Sequence, residues 1–136
     1  MSSAAFSVEH LGLPAREVGA LRDWYVRVLG AKLVFENGKT PPACFVALPG
    51  GMLIEIYEGD FSLKETGDNA LNGWRHLALR ATTIEAARAE LEARGVKFDQ
   101  PIKPAGGGGR VLFFADPEGN LLHLVERSPD SVFSKL

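Results

Sequence analysis

Pro117-Glu118-Gly119-Asn120-Leu121-Leu122-His123-Leu124-Val125-Glu126 reads as a tight turn followed by an apolar strand, and the chain carries an earlier copy, Pro49-Gly50-Gly51-Met52-Leu53-Ile54-Glu55-Ile56-Tyr57-Glu58. The offset is 68 positions (117 − 49) and holds across the whole stretch without a gap. Each copy interrupts its apolar strand with one polar side chain at the same place, Glu55 in the first and His123 in the second. A repeated interruption of this kind implies a two-fold arrangement with polar groups converging on one point.

The repeat extends outward. Glu9-His10-Leu11-Gly12-Leu13 matches Arg75-His76-Leu77-Ala78-Leu79 at an offset of 66 (76 − 10), so an indel of two falls inside the module, where loops tolerate it. Phe6–Leu13 reads as a strand by alternation. Pro14 is expected to open a helix running to about Leu29, with Val18, Leu21, Tyr25, Val28 and Leu29 as its buried stripe and Gly30 as a left-handed cap. Strands are expected at Lys32–Glu36, Ala43–Leu48 and Met52–Glu58. Residues 59–73 are polar and glycine-rich, a linker with room for a short helical turn.

The second half repeats the plan. Trp74–Ala81 is a strand. Thr82-Thr83-Ile84-Glu85 has capping-box spacing before a helix with an Ile84, Ala87, Leu91 stripe, which Gly95 terminates. Val96–Asp99, Arg110–Ala115 and Asn120–Arg127 are expected strands. The predicted fold is therefore α+β: two β-α-β-β-β modules forming a curved, cleft-lining mixed sheet with the helices outside. One domain of 136 residues is expected, divided as 6–58 (first module), 59–73 (linker), 74–127 (second module) and 128–136 (exposed tail).

Composition narrows the function. A hydrophobic fraction of 46% supports a core, and a net charge of −2 argues against nucleic acid as a partner. No apolar run reaches the ~20 residues of a membrane helix. The N-terminus lacks the features of a signal peptide, and the single Cys44 fits a reducing compartment, so a cytoplasmic location is expected. The ending Ser134-Lys135-Leu136 matches a peroxisomal address in eukaryotes, but so short an ending recurs by chance, and chance is the preferred reading.

By strand alternation Ile54, Ile56, Leu122 and Leu124 face the helices, whereas Glu55 and His123 face away with Leu53, Tyr57, Leu121 and Val125. A carboxylate on a semi-apolar face is costly unless paired. Near the imidazoles of His10, His76 and His123, a divalent cation is the economical partner: zinc, nickel, cobalt, manganese or iron. Glu58 and Glu126 have the opposite parity and read as solvated strand ends. Tyr57 and Trp74 share the inward parity and are candidate substrate-binding walls. The run Lys103-Pro104-Ala105-Gly106-Gly107-Gly108-Gly109-Arg110 reads as flexible, as a lid or, preferably, a plain hairpin connection. It is not a phosphate loop, because no helix and no Lys-Ser/Thr ending follow it.

The paired β-α-β-β-β plan, the His10, Glu55 and His76 strands and the Asp116-Pro117-Glu118-Gly119-Asn120 turn together resemble the vicinal-oxygen-chelate superfamily. Its members include glyoxalase I, extradiol dioxygenases, fosfomycin-resistance enzymes, methylmalonyl-CoA epimerase and metal-free bleomycin-binding proteins. The resemblance covers residues 6–127. It implies metal ligands at His10, Glu55, His76 and position 123. The first three match glyoxalase I; at position 123 the family usually has Glu and this chain has His. The implied function is a metal-dependent enzyme acting on a small oxygenated substrate, with glyoxalase-I-like lyase or isomerase chemistry favoured and Glu55 as ligand and base. An Fe(II)-dependent ring-cleaving dioxygenase and a non-enzymatic drug-binding protein are the alternatives. The resemblance also implies a homodimer with its sites at the subunit interface.

Overall fold

The computed structural model describes residues 4–60 and 64–135, with the backbone alone at 64, 65 and 135. The chain forms two compact units, residues 1–61 and 62–136.

The first unit contains β1 (His10–Ala15), α1 (Val18–Leu29), β2 (Lys32–Glu36), β3 (Cys44–Ala47) and β4 (Leu53–Glu58). Its sheet has the order β1-β4-β3-β2, with β1 parallel to β4 and the other pairs antiparallel. α1 buries Val18, Leu21, Tyr25, Val28 and Leu29, the expected stripe, and packs on β3 and β4, whose buried residues are Cys44, Val46, Ile54 and Ile56. Each fully buried aliphatic side chain here stabilises the unit by roughly 1.5–3 kcal/mol. Gly30 closes α1 in the left-handed region at φ 74°, its N–H bonded to the Tyr25 carbonyl.

The second unit repeats this order. A short 3-10 helix at Lys64–Gly67 precedes β5 (His76–Arg80), α2 (Ile84–Ala93), β6 (Lys103–Pro104), β7 (Arg110–Ala115) and β8 (Leu121–Glu126). The sheet order is β5-β8-β7-β6, again with one parallel pair, β5 with β8. Its buried apolar residues include Ile84, Leu91, Leu112, Phe114, Leu122 and Leu124. The fold is thus α+β with one four-stranded mixed sheet in each module.

The turns that announced the repeat are equivalent in their bonds. Gly51 N–H donates to Leu48 O (2.8 Å) and Leu48 N–H to Met52 O (2.8 Å); Gly119 N–H donates to Asp116 O (3.0 Å) and Asp116 N–H to Asn120 O (3.0 Å). In the second copy the buried Asp116 also accepts from Glu118 N (2.9 Å), Asn120 N (3.0 Å) and Asn120 Nδ2 (2.8 Å).

Several expectations are corrected. β1 begins at His10 rather than Phe6 and runs through Pro14, which opens no helix. Pro14 lies opposite Tyr57 on an edge strand, where a missing N–H leaves no central ladder position empty. No strand forms over Val96–Asp99; the edge of the second sheet is the two-residue β6, limited by Pro101 and Pro104. The cap of α2 is Thr83, whose side chain accepts from Ala86 N at 3.3 Å, one position later than the capping box requires. Glu85 is thereby free to pair with Arg110, and Ala87 is only half-buried.

Glu126 is no solvated end. It accepts from Ile84 N–H at 2.8 Å and from Arg110 at 2.8 and 3.2 Å, joining β8 to the start of α2 and to β7. The stretch after β8 folds back as a 3-10 helix at Val132–Lys135, with Ser131 buried and its Oγ donating to Gly107 O at 3.0 Å. Arg127 lies over the Phe133 ring at 3.9 Å and donates to the carbonyls of Gly106 and Gly108, so the glycine run is tethered. Leu136 of the Ser-Lys-Leu ending lies outside the described residues.

Candidate metal centre

In the first unit, strand pairing aligns Phe45, Glu55 and Gly12 across β3, β4 and β1, and sets His10 opposite Leu53, two residues before Glu55. Directly paired residues share a face. His10 and Glu55 are diagonal neighbours on it, with His10 Nε2 3.4 Å from Glu55 Oε1. Phe45 meets the His10 ring edge-on at 5.0 Å between centroids. Tyr57 lies on the same face, over Gly12, where a Cβ would sit 3.3 Å from its ring.

The second unit reproduces the register. Phe113, His123 and Ala78 align across β7, β8 and β5, and His76 lies opposite Leu121, two residues before His123. The His76 and His123 rings are 4.7 Å apart, and Phe113 touches both, at 5.9 and 4.8 Å. The four expected ligands therefore occur as two pairs, one in each unit. Trp74 precedes β5 and is 88% exposed.

All three imidazoles engage Nδ1 with an oxygen. His10 Nδ1 is 2.9 Å from Glu9 Oε1, His76 Nδ1 is 2.8 Å from Asn69 Oδ1, and His123 Nδ1 is 3.1 Å from the Leu124 carbonyl. An ionised carboxylate and a backbone carbonyl only accept, so His10 and His123 direct an Nδ1–H at these oxygens. Burial pushes the His123 imidazole below its ordinary pKa; His76 and Arg127 add to that, and the Leu124 bond opposes it. His123 is thus neutral and ligand-ready near neutral pH.

This arrangement fits a divalent cation. With Nδ1 turned to Glu9, His10 directs Nε2 at a carboxylate oxygen 3.4 Å away, longer than a good hydrogen bond. A positive charge between them, a proton or a divalent cation, satisfies both groups. Two donors at ~2.1 Å from one ion, at tetrahedral or octahedral angles, lie roughly 3.0–3.4 Å apart. A protein oxygen on the second nitrogen of each His is the usual support for a ligating imidazole. Among the described residues no group of three or more His, Cys, Asp or Glu side chains is placed so that it could hold a metal ion.

Sequence reasoning missed Phe45 and Phe113, although they stand 68 apart (113 − 45), the offset of the repeat itself. It also missed Glu9 and Asn69, for which no periodic signal exists.

Known proteins resemble the chain along most of its length. The uncharacterized protein YaeR of Escherichia coli (strain K12) is 29% identical over 123 residues, covering 88% of this chain and 95% of that protein. Biphenyl-2,3-diol 1,2-dioxygenase 3 of Rhodococcus globerulus is 29% identical over 128 residues, covering 85% of this chain and 60% of that longer protein. The fosfomycin resistance protein FosX of Listeria monocytogenes, solved as an E126Q mutant with Mn(II) and 1S,2S-dihydroxypropylphosphonic acid, shares the fold with a TM-score of 0.66 at 21% identity, covering 90% of each chain. The Glyoxalase/Bleomycin resistance protein/Dioxygenase superfamily profile matches residues 7–124, and the chain belongs to that superfamily, the vicinal-oxygen-chelate group its repeat resembles.

Proposed function

We propose that the chain is a metal-dependent enzyme acting on a small substrate with two neighbouring oxygens, with lyase or isomerase chemistry of the glyoxalase I kind. The ligand set is His10, Glu55, His76 and His123. The observation that carries the reading is the His10–Glu55 pair, an imidazole nitrogen and a carboxylate oxygen 3.4 Å apart on one sheet face. Its counterpart at equivalent strand positions supplies two more imidazoles.

When bound, a divalent ion accepts the two substrate oxygens and stabilises negative charge developing on them. Glu55, partly exposed beside His10, would take the proton from the hydroxyl-bearing carbon next to the carbonyl and deliver it to the carbonyl carbon, the hydroxyl proton passing to the former carbonyl oxygen. It is the one carboxylate in the set, so a single group makes both transfers. His10 limits the motion of Glu55, and Phe45 packs against His10 from the side. Tyr57, over Gly12, is a wall for the substrate. Family membership further leads us to propose a homodimer, to be checked by light scattering.

The test is elemental analysis followed by loading with nickel, cobalt, zinc or manganese. One ion per chain is expected, lost on substitution in either pair, with turnover of a hemithioacetal. No turnover with any of these metals removes the reaction; no metal uptake removes the centre and favours a drug-binding protein.

The dioxygenase relative favours a second reading. Three His with one carboxylate is close to the oxygen-activating iron triad. Oxygen uptake with a catechol after anaerobic Fe(II) loading supports it; selective zinc or nickel binding without oxygen uptake counts against it.

A further inference from the structure

We infer that Asn69 is a positioning residue for His76. Its Oδ1 holds the imidazole proton on Nδ1, so that Nε2 presents a lone pair. The contact is 2.8 Å and spans seven residues, from the segment before β5 to the first residue of that strand. Only the consequence for metal affinity rests on the function proposed above.

His76 needs such a partner more than the other two imidazoles do. Free histidine in water favours the opposite tautomer, whose proton on Nε2 blocks that nitrogen and leaves only Nδ1, the atom facing Asn69, as a ligand. His123 is buried against a backbone carbonyl, and His10 has the carboxylate of its own chain neighbour. His76 sits exposed on an edge strand. Its ring contacts with Phe113 and His123 set the plane of the imidazole and say nothing about which nitrogen is protonated. Asn69 is the protein group that decides this.

The segment holding Asn69 is itself shaped to present it. Asp68 Oδ1 accepts from Ala70 N at 2.9 Å, and its carbonyl accepts from Leu71 N at 3.4 Å, folding a turn around Asn69. The stretch read from sequence as a plain linker thus supplies part of the site's support. An asparagine can offer an oxygen or an amide N–H, and only the oxygen gives the useful tautomer.

The experiment is imidazole nitrogen NMR on the metal-free full chain at a pH where the rings are neutral, alongside cobalt titration by calorimetry. Wild type is expected to show His76 protonated on Nδ1. N69A is expected to move His76 toward the Nε2-protonated form, leave His10 and His123 unchanged, and weaken cobalt binding by roughly 10–100-fold. N69D, which keeps an acceptor in place, is expected to restore both. If wild-type His76 is already protonated on Nε2, or N69A leaves its tautomer unchanged with the amide spectrum intact, the assignment is overturned. If the tautomer follows Asn69 but no variant binds cobalt, the positioning role stands and the metal reading fails.

Discussion

His10 Nε2 lies 3.4 Å from Glu55 Oε1 across the parallel pairing of β1 with β4, and His76 and His123 occupy the same register across β5 and β8. Replacing Glu55 by Gln keeps the shape and removes the charge that a cation needs opposite His10. E55Q is expected to lower metal affinity more than about 100-fold, beyond the roughly 10–100-fold effect of losing a supporting residue. The metal-free protein should melt close to wild type, because a pair this exposed contributes little by itself. Calorimetric titration and thermal melts of both proteins check this; unchanged affinity would remove Glu55 from the ligand set.

Phe113 touches both imidazoles of the second unit. Truncation to Ala removes the wall that holds them and leaves a gap on a half-buried face. F113A is expected to destabilise by about 3 kcal/mol, the low end for aromatic truncation, and to weaken metal binding as well. F113L should recover most of the stability but not the edge contact to His76. Urea denaturation separates bulk from ring contact: full recovery in F113L would show that the aromatic ring itself is immaterial, and equal losses in both variants that apolar bulk is.

How much of this was legible beforehand follows from what the pattern encodes. The helix stripe Val18, Leu21, Tyr25, Val28, Leu29 and the strand pairs Ile54/Ile56 and Leu122/Leu124 were readable because burial repeats at the helix or strand period. Pro14 misled because a proline opens a helix and sits on a sheet edge with equal ease; only the pairing with Tyr57 decides, and pairing is non-local. Val96–Asp99 looked like a strand by composition, yet it has no ladder partner in the sheet that forms. His10, Glu55, His76 and His123 stood out as polar breaks in apolar strands. Asn69, Glu9 and Glu126 did not, since their roles are set by single hydrogen bonds that no periodicity announces.

Arg110 joins Glu85, through two bonds of 2.8 Å, to Glu126. Its guanidinium holds the Glu85 carboxyl down to about 2 and lowers Glu126, with the Ile84 N–H assisting at the latter. Both folded values lie below the ordinary 4.5, so the unfolded chain takes up protons first as pH falls. The stabilisation is therefore complete above 4.5 and is lost as pH falls through that value toward about 2. R110M should be less stable than wild type at neutral pH, with the gap closing through this window. Urea midpoints recorded against pH check it; parallel curves down to pH 2 would show that Arg110 contributes nothing specific there.

Cys44 is fully buried on β3 among Val46 and Ile56, and burial pushes its thiol pKa up. A thiol that is both inaccessible and protonated is a poor nucleophile. The native chain is expected to react with an aromatic disulfide reagent at a rate limited by opening, whereas the chain in denaturant reacts at once. Rapid labelling of the native protein would mean that the sheet around β3 opens far more readily than its packing implies.

Gly109 and Gly38 both have positive φ, at 107° and 73°, but only Gly109 meets a wall: a Cβ there would lie 1.8 Å from the Glu126 carbonyl oxygen, whereas at Gly38 it meets nothing within 4 Å. The Glu126 backbone cannot retreat, because Arg110, the next residue after Gly109, pairs with it in the β7–β8 ladder. Gly38→Ala is expected to cost about 1 kcal/mol, the penalty of the left-handed conformation alone. Gly109→Ala should cost more than about 3 kcal/mol, since overpacking against backbone adds to that conformational penalty. The loss should also release Arg127 and Ser131 from the carbonyls of the glycine run. Denaturant titration of the two variants decides the matter: equal losses would mean that the run tolerates side chains and serves only as a connection.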